Sequence, residues 1–166
     1  MTMTNVQERL GELAIELPVL GAPRYAYEAS ARWDDTLWVS GQISRTASGE
    51  ILRGRLGDTT AVAEGIIAAE TCALNLLARI NEAVGLENVE QVLKVNIWIA
   101  SSPDFVDQPT VADGASLLLR AVLGDAGGHA RTALPAHVLP QGALVELDAT
   151  IAIRGDGVRR NNRGLR

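Results

Sequence analysis

The sequence predicts an α+β protein in which a mixed β-sheet carries two long helices on one face. Apolar residues recur at helical spacing in two long stretches, about 58–84 and 107–122, and strand-like alternation occupies both ends of the chain. The 166 residues suit one domain, which we assign to residues 1–154. An arginine-rich stretch without apolar periodicity, 155–166, is expected to be a mobile tail.

Residues that end helices or favour turns support the predicted order of the helices and strands. Pro18 ends an N-terminal helical extension, because proline disfavours helix at the preceding residue. A turn at Asp34-Asp35 separates two strands, Gly85 stops the first long helix, and Pro109 suits the first turn of the second. The predicted elements are a helix at 4–17, strands at 24–32 and 35–43, a helix at 58–84, a strand at 89–99, a helix from 107 or 108 to 122, and two strands within 128–154. A flexible glycine-rich loop, 124–128, is expected before the last two strands.

The stretch 128–154 reads GHARTALPAHVLPQGALVELDATIAIR and predicts a hairpin whose turn contains Pro140 and Gly142. Parity places Glu146 opposite the apolar set that begins with Val145. In the preceding strand parity places Arg131 opposite Thr132, Leu134, Ala136 and Val138, which are read as its core face. Arg131 and Glu146 are therefore expected on one open, polar face, about 13 Å apart between backbones. Either their long side chains converge on one ligand, or another subunit supplies one of them.

Several segments together carry a resemblance to a known family. Leu139-Pro140 follows Arg131 and Val145-Glu146 comes next; upstream lie VSGQI at 39–43, ENVEQVLKVNIWIA at 87–100 and Asp104-Phe105. In order and spacing these segments resemble the Rid (reactive intermediate deaminase, YjgF-like) superfamily. The resemblance covers roughly residues 24–154. It implies a trimer built around a central β-barrel, with ligand sites in the clefts between subunits.

The resemblance also implies a function and its residues. Arg131 would bind a substrate carboxylate through two parallel hydrogen bonds from its planar guanidinium group. Glu146 would position water or exchange protons. Tyr27, Ser40 and Gly41 fall on the family's pocket residues. The implied reaction is hydrolytic deamination of enamine or imine metabolites, such as 2-aminoacrylate, to 2-keto acids and ammonia. It requires no cofactor and no metal.

Taken without the resemblance, the same residues have plainer interpretations. Arg131 is then a surface or salt-bridge residue and Glu146 an ion-pair partner in a subunit interface. Tyr27 is an ordinary strand aromatic, and Ser40 and Gly41 are plain strand residues. Two other functions stay open: a small-carboxylate binding or sensing protein without turnover, and an RNA-acting protein.

The chain also departs from the family pattern. Pro109 stands where short members have an asparagine, so that contact is missing or is replaced, with Asp113 as the candidate. Leu134-Pro135-Ala136 replaces a valine-glycine-valine run, which predicts an edge or a bulge in that strand. The N-terminal extension is a further difference, and together these features indicate a longer, divergent branch.

Composition limits the remaining classes. The formal net charge of −5 argues against a general nucleic-acid partner, for which the tail and Arg45, Arg53 and Arg55 are the only support. No apolar run is long enough to span a bilayer, and no secretory signal is apparent. The single cysteine, Cys72, is expected to be buried and fits a cytoplasmic location. His129 and His137 lack the companions of a metal site.

Overall fold

A computed structural model describes residues 5–155 and has the two layers that the sequence predicts. A mixed five-stranded sheet carries helices on one face, which confirms the predicted fold class. The helices and strands of the described residues are α1 (Val6–Glu12), β1 (Ser30–Trp33), β2 (Thr36–Ile43), α2 (Val62–Val84), β3 (Val89–Ala100), α3 (Gln108–Leu123), β4 (Ala130–Ala136) and β5 (Val145–Ile153). The predicted tail, apart from Gly155, lies outside the described residues.

The strand order β1-β2-β5-β3-β4 shows that the predicted C-terminal hairpin is wrong. β4 pairs in parallel with one edge of β3, and β5 pairs antiparallel with the other edge. Residues 137–144 connect them and include a short 3-10 helix, Pro140–Gly142. A step across two strands is about 10 Å, which a connection of this length spans easily.

The register also reverses the predicted faces of β4. Val95 of β3 pairs with Arg131 on one side and with Ala149 on the other, and paired residues share a face. Val95 and Ala149 are buried in the core. Arg131 therefore lies on the helix-covered face. The β4 residues that were predicted to face the core lie instead on the open face: Thr132, Leu134 and Ala136.

The core fills the space between the sheet and the two long helices. Alternate residues of β5 are fully buried, and α2 and α3 pack against each other. A side chain at Gly114 of α3 would collide with the backbone carbonyl of Ile66, so glycine permits the close helix contact. The largest fully buried side chains include Leu37, Leu76, Leu77, Ile80, Ile97, Leu119, Leu147 and Ile151.

The open face of the sheet is more apolar than expected. All three tryptophans of the chain, Trp33, Trp38 and Trp98, lie on this face by strand register. Trp33 is 68% exposed, Trp38 46% and Leu134 47%. Large apolar side chains at this level of exposure mark a surface suited to contact with another protein.

The N-terminal helix is shorter than predicted. Asn5 and Glu8 cap α1 reciprocally at its start. Ala14 then adopts a left-handed conformation with φ of 52°, and the amide of Ile15 donates to the Leu10 carbonyl. This is a Schellman ending, which stops the helix before the predicted boundary at Pro18.

Other helices and strands also begin or end at residues that differ from the predicted ones. The Asp34-Asp35 turn is confirmed, but β1 begins at Ser30, so residues 24–29 lie before the strand. α2 begins at Val62, where the Glu64 carboxylate accepts from the Ala61 amide, and Gly85 ends it as predicted. The expected flexible loop contains an ordered 3-10 helix, Gly124–Gly127. Among the described residues, no helix has the length and apolar character needed to cross a membrane.

Candidate functional site

Glu146 lies on the open face in the middle of the sheet, between Ile43 of β2 and Trp98 of β3. Burial raises the pKa of its carboxyl group, and the neighbouring carboxylate of Asp148 raises it further. Within residues 5–155, no hydrogen bond or ion pair to this carboxylate is formed. A half-buried acid without an internal partner is suited to contact water, a substrate or another subunit.

A bulge in β2 makes room for this carboxylate. The register between β2 and β5 shifts between Val39 and Gln42, which leaves Ser40 and Gly41 opposite a single residue of β5. A Cβ atom at Gly41 would collide with the carboxylate of Glu146. Glycine is therefore required for this close approach, and the predicted grouping of Gly41 with Glu146 has a geometric basis.

A cleft of about 430 Å³ opens beside the bulge on the same face. Tyr27, Trp38, Ser40, Asn96 and Asp148 are among the residues that line it. The Ser40 hydroxyl donates to the Glu28 carbonyl at 2.6 Å and ties the segment before β1 to β2. Asn96 donates to Asp148 at 2.8 Å across the floor. Tyr27 reaches the cleft from this segment, not from a strand as predicted, and is 51% exposed.

Arg131 is on the other face and contacts α3. Its Nη1 atom donates to the Asp113 carboxylate at 2.7 Å and to the Ser116 hydroxyl at 3.0 Å. Its Nη2 atom donates to the Pro109 carbonyl at 3.3 Å. Asp113, the candidate replacement for the family asparagine, thus contacts Arg131.

Arg131 and Glu146 are not brought together within one chain. They lie two strands and three residues apart, or about 14 Å between backbones, and on opposite faces of the sheet. The prediction that they share an open face is wrong, because the edge strand β4 presents Leu134 to the open side. The described chain therefore carries two separate groups: Arg131 of β4 packed against α3, and Glu146 with Gly41, Ser40 and Tyr27.

Around Arg131, beside the candidate Asp113, two polar residues are additions to the predicted site: Ser116 and His129. Asp113 and Ser116 are three residues apart and share one face of α3. His129 lies two residues before Arg131, and its Nε2 atom is 2.9 Å from the Ser116 hydroxyl. The i, i+3 spacing of Asp113 and Ser116 predicts that the two side chains share one helix face. It does not predict that β4 passes beside α3.

The three loop arginines hold the connection between β4 and β5. Arg45 donates to the Gln141 side chain at 2.8 Å, and Arg53 donates to the Gln141 carbonyl at 3.1 Å. Arg55 donates to the His137 carbonyl at 2.8 Å, and its Nη2 atom is 2.6 Å from the ring Nδ1 atom. All three arginines therefore bind the same connection between strands.

The remaining chemical groups are internal. Cys72 is fully buried, as predicted, and its thiol donates to the Val145 carbonyl at 3.3 Å. Burial raises the pKa of this thiol, and the charge of Glu146 adds to the effect. Within residues 5–155, no group of three histidine, cysteine or acidic side chains is arranged to hold a metal ion.

Comparisons with known proteins give a consistent assignment. A family model described as "YjgF/chorismate_mutase-like, putative endoribonuclease" matches residues 7–150. Protein TCP17 of Trypanosoma cruzi is 39% identical over 151 residues, which cover 90% of this chain and 94% of that protein. The solved structure of protein Atu1372 from Agrobacterium tumefaciens, described as of unknown function, is 39% identical with a TM-score of 0.83 and covers 90% of this chain and 93% of its own. A structure from Shewanella oneidensis MR-1, named a "putative endoribonuclease", is 28% identical with a TM-score of 0.85 and covers 90% of this chain and 99% of its own.

Proposed function

Because the chain belongs to the YjgF/chorismate-mutase-like family, we propose that it hydrolyses small carboxylate-bearing enamines and imines to 2-keto acids and ammonia. The observation that carries this proposal is the Glu146 carboxyl group, which is half-buried, has a raised pKa and meets no partner within the described residues. A raised pKa makes a carboxyl group a better proton donor near neutral pH. The aromatic cleft beside it supplies room for a small substrate.

The reaction needs one anion-binding group and one proton-transfer group. Arg131 binds the substrate carboxylate, and the enamine tautomerises to the imine by moving a proton to the terminal carbon. Water, held by Glu146, adds to C2 of the imine, and its displaced proton passes through the carboxyl group to nitrogen. The hydroxyl proton of this adduct then passes to the amino nitrogen, the C–N bond breaks, ammonia leaves, and the C2 oxygen becomes the ketone of the 2-keto acid.

The separation of the two groups favours a site shared between subunits. One chain contributes Arg131 from its edge strand, and a neighbouring chain contributes Glu146 with Gly41, Ser40 and Tyr27. The exposed tryptophans and Leu134 of the open face support such an assembly, because burying them removes a large apolar area from water. We propose a homotrimer, and light scattering that gives a monomer at micromolar concentration would contradict it.

A coupled assay tests the activity directly. A pyridoxal-phosphate enzyme generates 2-aminoacrylate in situ, and its decay to pyruvate is timed with and without the protein. Accelerated decay that disappears in Glu146→Gln supports the deaminase, whereas pyruvate binding without acceleration indicates a binding protein. The RNA alternative loses part of its support, because Arg45, Arg53 and Arg55 bind the connection between β4 and β5.

A further inference from the structure

Five groups on the helix face form one continuous hydrogen-bonded series, and of these the proposed mechanism uses only Arg131. Arg131 Nη1 donates to Asp113 at 2.7 Å and to the Ser116 hydroxyl at 3.0 Å. The same hydroxyl is 2.9 Å from Nε2 of His129. The other ring nitrogen, Nδ1, is 2.7 Å from the Gly127 carbonyl. The chain thus runs from the 3-10 helix before β4 to the guanidinium of β4.

Elementary donor and acceptor rules fix the hydrogens along it. The Gly127 carbonyl only accepts, so Nδ1 of His129 carries a hydrogen, and a neutral ring then leaves a lone pair on Nε2. Arg131 only donates, so the Ser116 oxygen accepts from it and directs its own hydrogen to Nε2. Every contact is therefore satisfied when His129 is neutral and protonated at Nδ1.

The charges around the ring favour this neutral form. Burial lowers the pKa of His129, and the positive charges of Arg131 on β4 and Arg120 on α3 lower it further; the hydrogen bond to Gly127 opposes them. Asp113 is the acidic group of this hydrogen-bonded series, and its carboxylate already forms an ion pair with Arg131. The imidazole therefore stays an acceptor for Ser116 at neutral pH.

The same contacts leave part of the guanidinium available. Both hydrogens of Nη1 are engaged, and one hydrogen of Nη2 is directed to the Pro109 carbonyl. Among the described residues, the Nε hydrogen and the second Nη2 hydrogen have no acceptor. Two such hydrogens match the bidentate binding of a carboxylate.

We propose that Ser116 and His129 are positioning residues, which hold Arg131 in the orientation for carboxylate binding. This positioning role rests on the proposed role of Arg131 and adds to it two further residues of this protein. Neutral His129 keeps the Ser116 hydroxyl turned so that its oxygen lone pairs face Arg131. Asp113 supplies the counter-charge, and the hydroxyl fixes the rotation of the guanidinium.

The hydrogen-bonded series from Gly127 through His129 and Ser116 to Arg131, called the relay from here on, is tested first in the ligand-free protein. The chain has two histidines, so the ¹⁵N spectrum of histidine-labelled protein resolves both, and His137→Gln assigns them. The expected result is a His129 ring that is neutral at pH 7, protonated at Nδ1, with a pKa below 6.5. Arg131→Met should raise that pKa. An Nε2–H tautomer, or a pKa that Arg131→Met does not move, would overturn the relay.

The second arm measures pyruvate binding by calorimetry at pH 7.5. Ser116→Ala removes one hydrogen bond to the guanidinium and should weaken binding about 5-fold, with a similar loss in His129→Leu. His129→Gln restores an acceptor for Ser116 and should bind within about 2-fold of the parent. His137→Gln, which alters the Arg55 contact far from Arg131, serves as the matched control and should bind as the parent does.

The outcomes separate this proposal from the proposed function. If Arg131→Lys weakens pyruvate binding while Ser116→Ala and His129→Leu do not, the positioning role is wrong and the carboxylate site stands. If the parent neither binds pyruvate nor accelerates the decay of 2-aminoacrylate, the proposed function fails. In that case the ¹⁵N spectra alone decide whether the relay exists.

Discussion

Glu146→Gln should have opposite effects on activity and on stability. Glutamine has nearly the same shape, and the substitution breaks no hydrogen bond or ion pair within the described residues. It removes a carboxylate whose burial and whose repulsion by Asp148 raise its pKa. We therefore expect turnover to fall by about 10²–10⁴, while the free energy of unfolding at pH 7.5 rises by about 0.5–1 kcal/mol, a value reduced for solvent screening.

The pH dependence of that stability difference follows from the sign of the pKa shift. A carboxyl group with a raised pKa in the folded state holds more protons folded than unfolded, so its contribution to stability falls as pH rises. The advantage of glutamine should be complete above the folded-state pKa. It should fade as pH falls through that pKa and vanish below the ordinary value of 4.5.

Thermal unfolding and the 2-aminoacrylate decay assay measure the two effects. The expected gain in Tm is about 1–4 °C at pH 7.5, converging with the parent near pH 4. Glu70→Gln, an exposed position on α2, is the matched control and should change neither quantity. A lower Tm for Glu146→Gln would refute this reasoning and indicate that the carboxylate is an ion-pair partner in a subunit interface.

Three further predictions test other parts of the chain. Gly41→Ala should reduce turnover at least about 10-fold with little loss of Tm, because the added methyl group displaces the flexible end of Glu146; parental turnover would contradict the close approach. Arg131→Lys keeps the charge but loses the fork, so pyruvate should bind about 10- to 150-fold more weakly by calorimetry; parental affinity would make the arginine structural. Ala14→Gly relieves a left-handed alanine with φ of 52° and should raise the unfolding free energy by about 0.5–1 kcal/mol in urea; a decrease would contradict the Schellman ending.

Much of the fold could be predicted from the sequence, because the residue patterns that indicate helices, strands and turns are local. Periodicity identified both long helices and β3, and Gly85 and the Asp34-Asp35 turn marked boundaries that the structure has. The end of α1 was not readable, because Ala14 adopts a conformation that alanine rarely takes. Strand order was not readable either. The turn residues Pro140 and Gly142 occur equally in a hairpin and in a connection that passes over β3.

The site was readable in part, for a related reason. Gly41 and Glu146 were grouped by the resemblance, and the bulge in β2 brings them together. Parity failed for Arg131 because the apolar residues of an edge strand need not face the core of their own chain. Leu134 is 47% exposed on the open face, which is consistent with cover by another subunit. Ser116 and His129 contact Arg131 through tertiary packing, which no spacing in the sequence encodes.

The most direct test of the shared site mixes two inactive variants. Arg131→Met and Glu146→Gln subunits are each assayed alone and then after refolding together in equal amounts. In a trimeric ring where each site takes Arg131 from one chain and Glu146 from its neighbour, each mixed trimer has one intact site, which is about a quarter of all sites after random assembly. We predict recovery of about a quarter of parental deaminase activity. Verified mixing of subunits with no recovered activity would contradict the shared site.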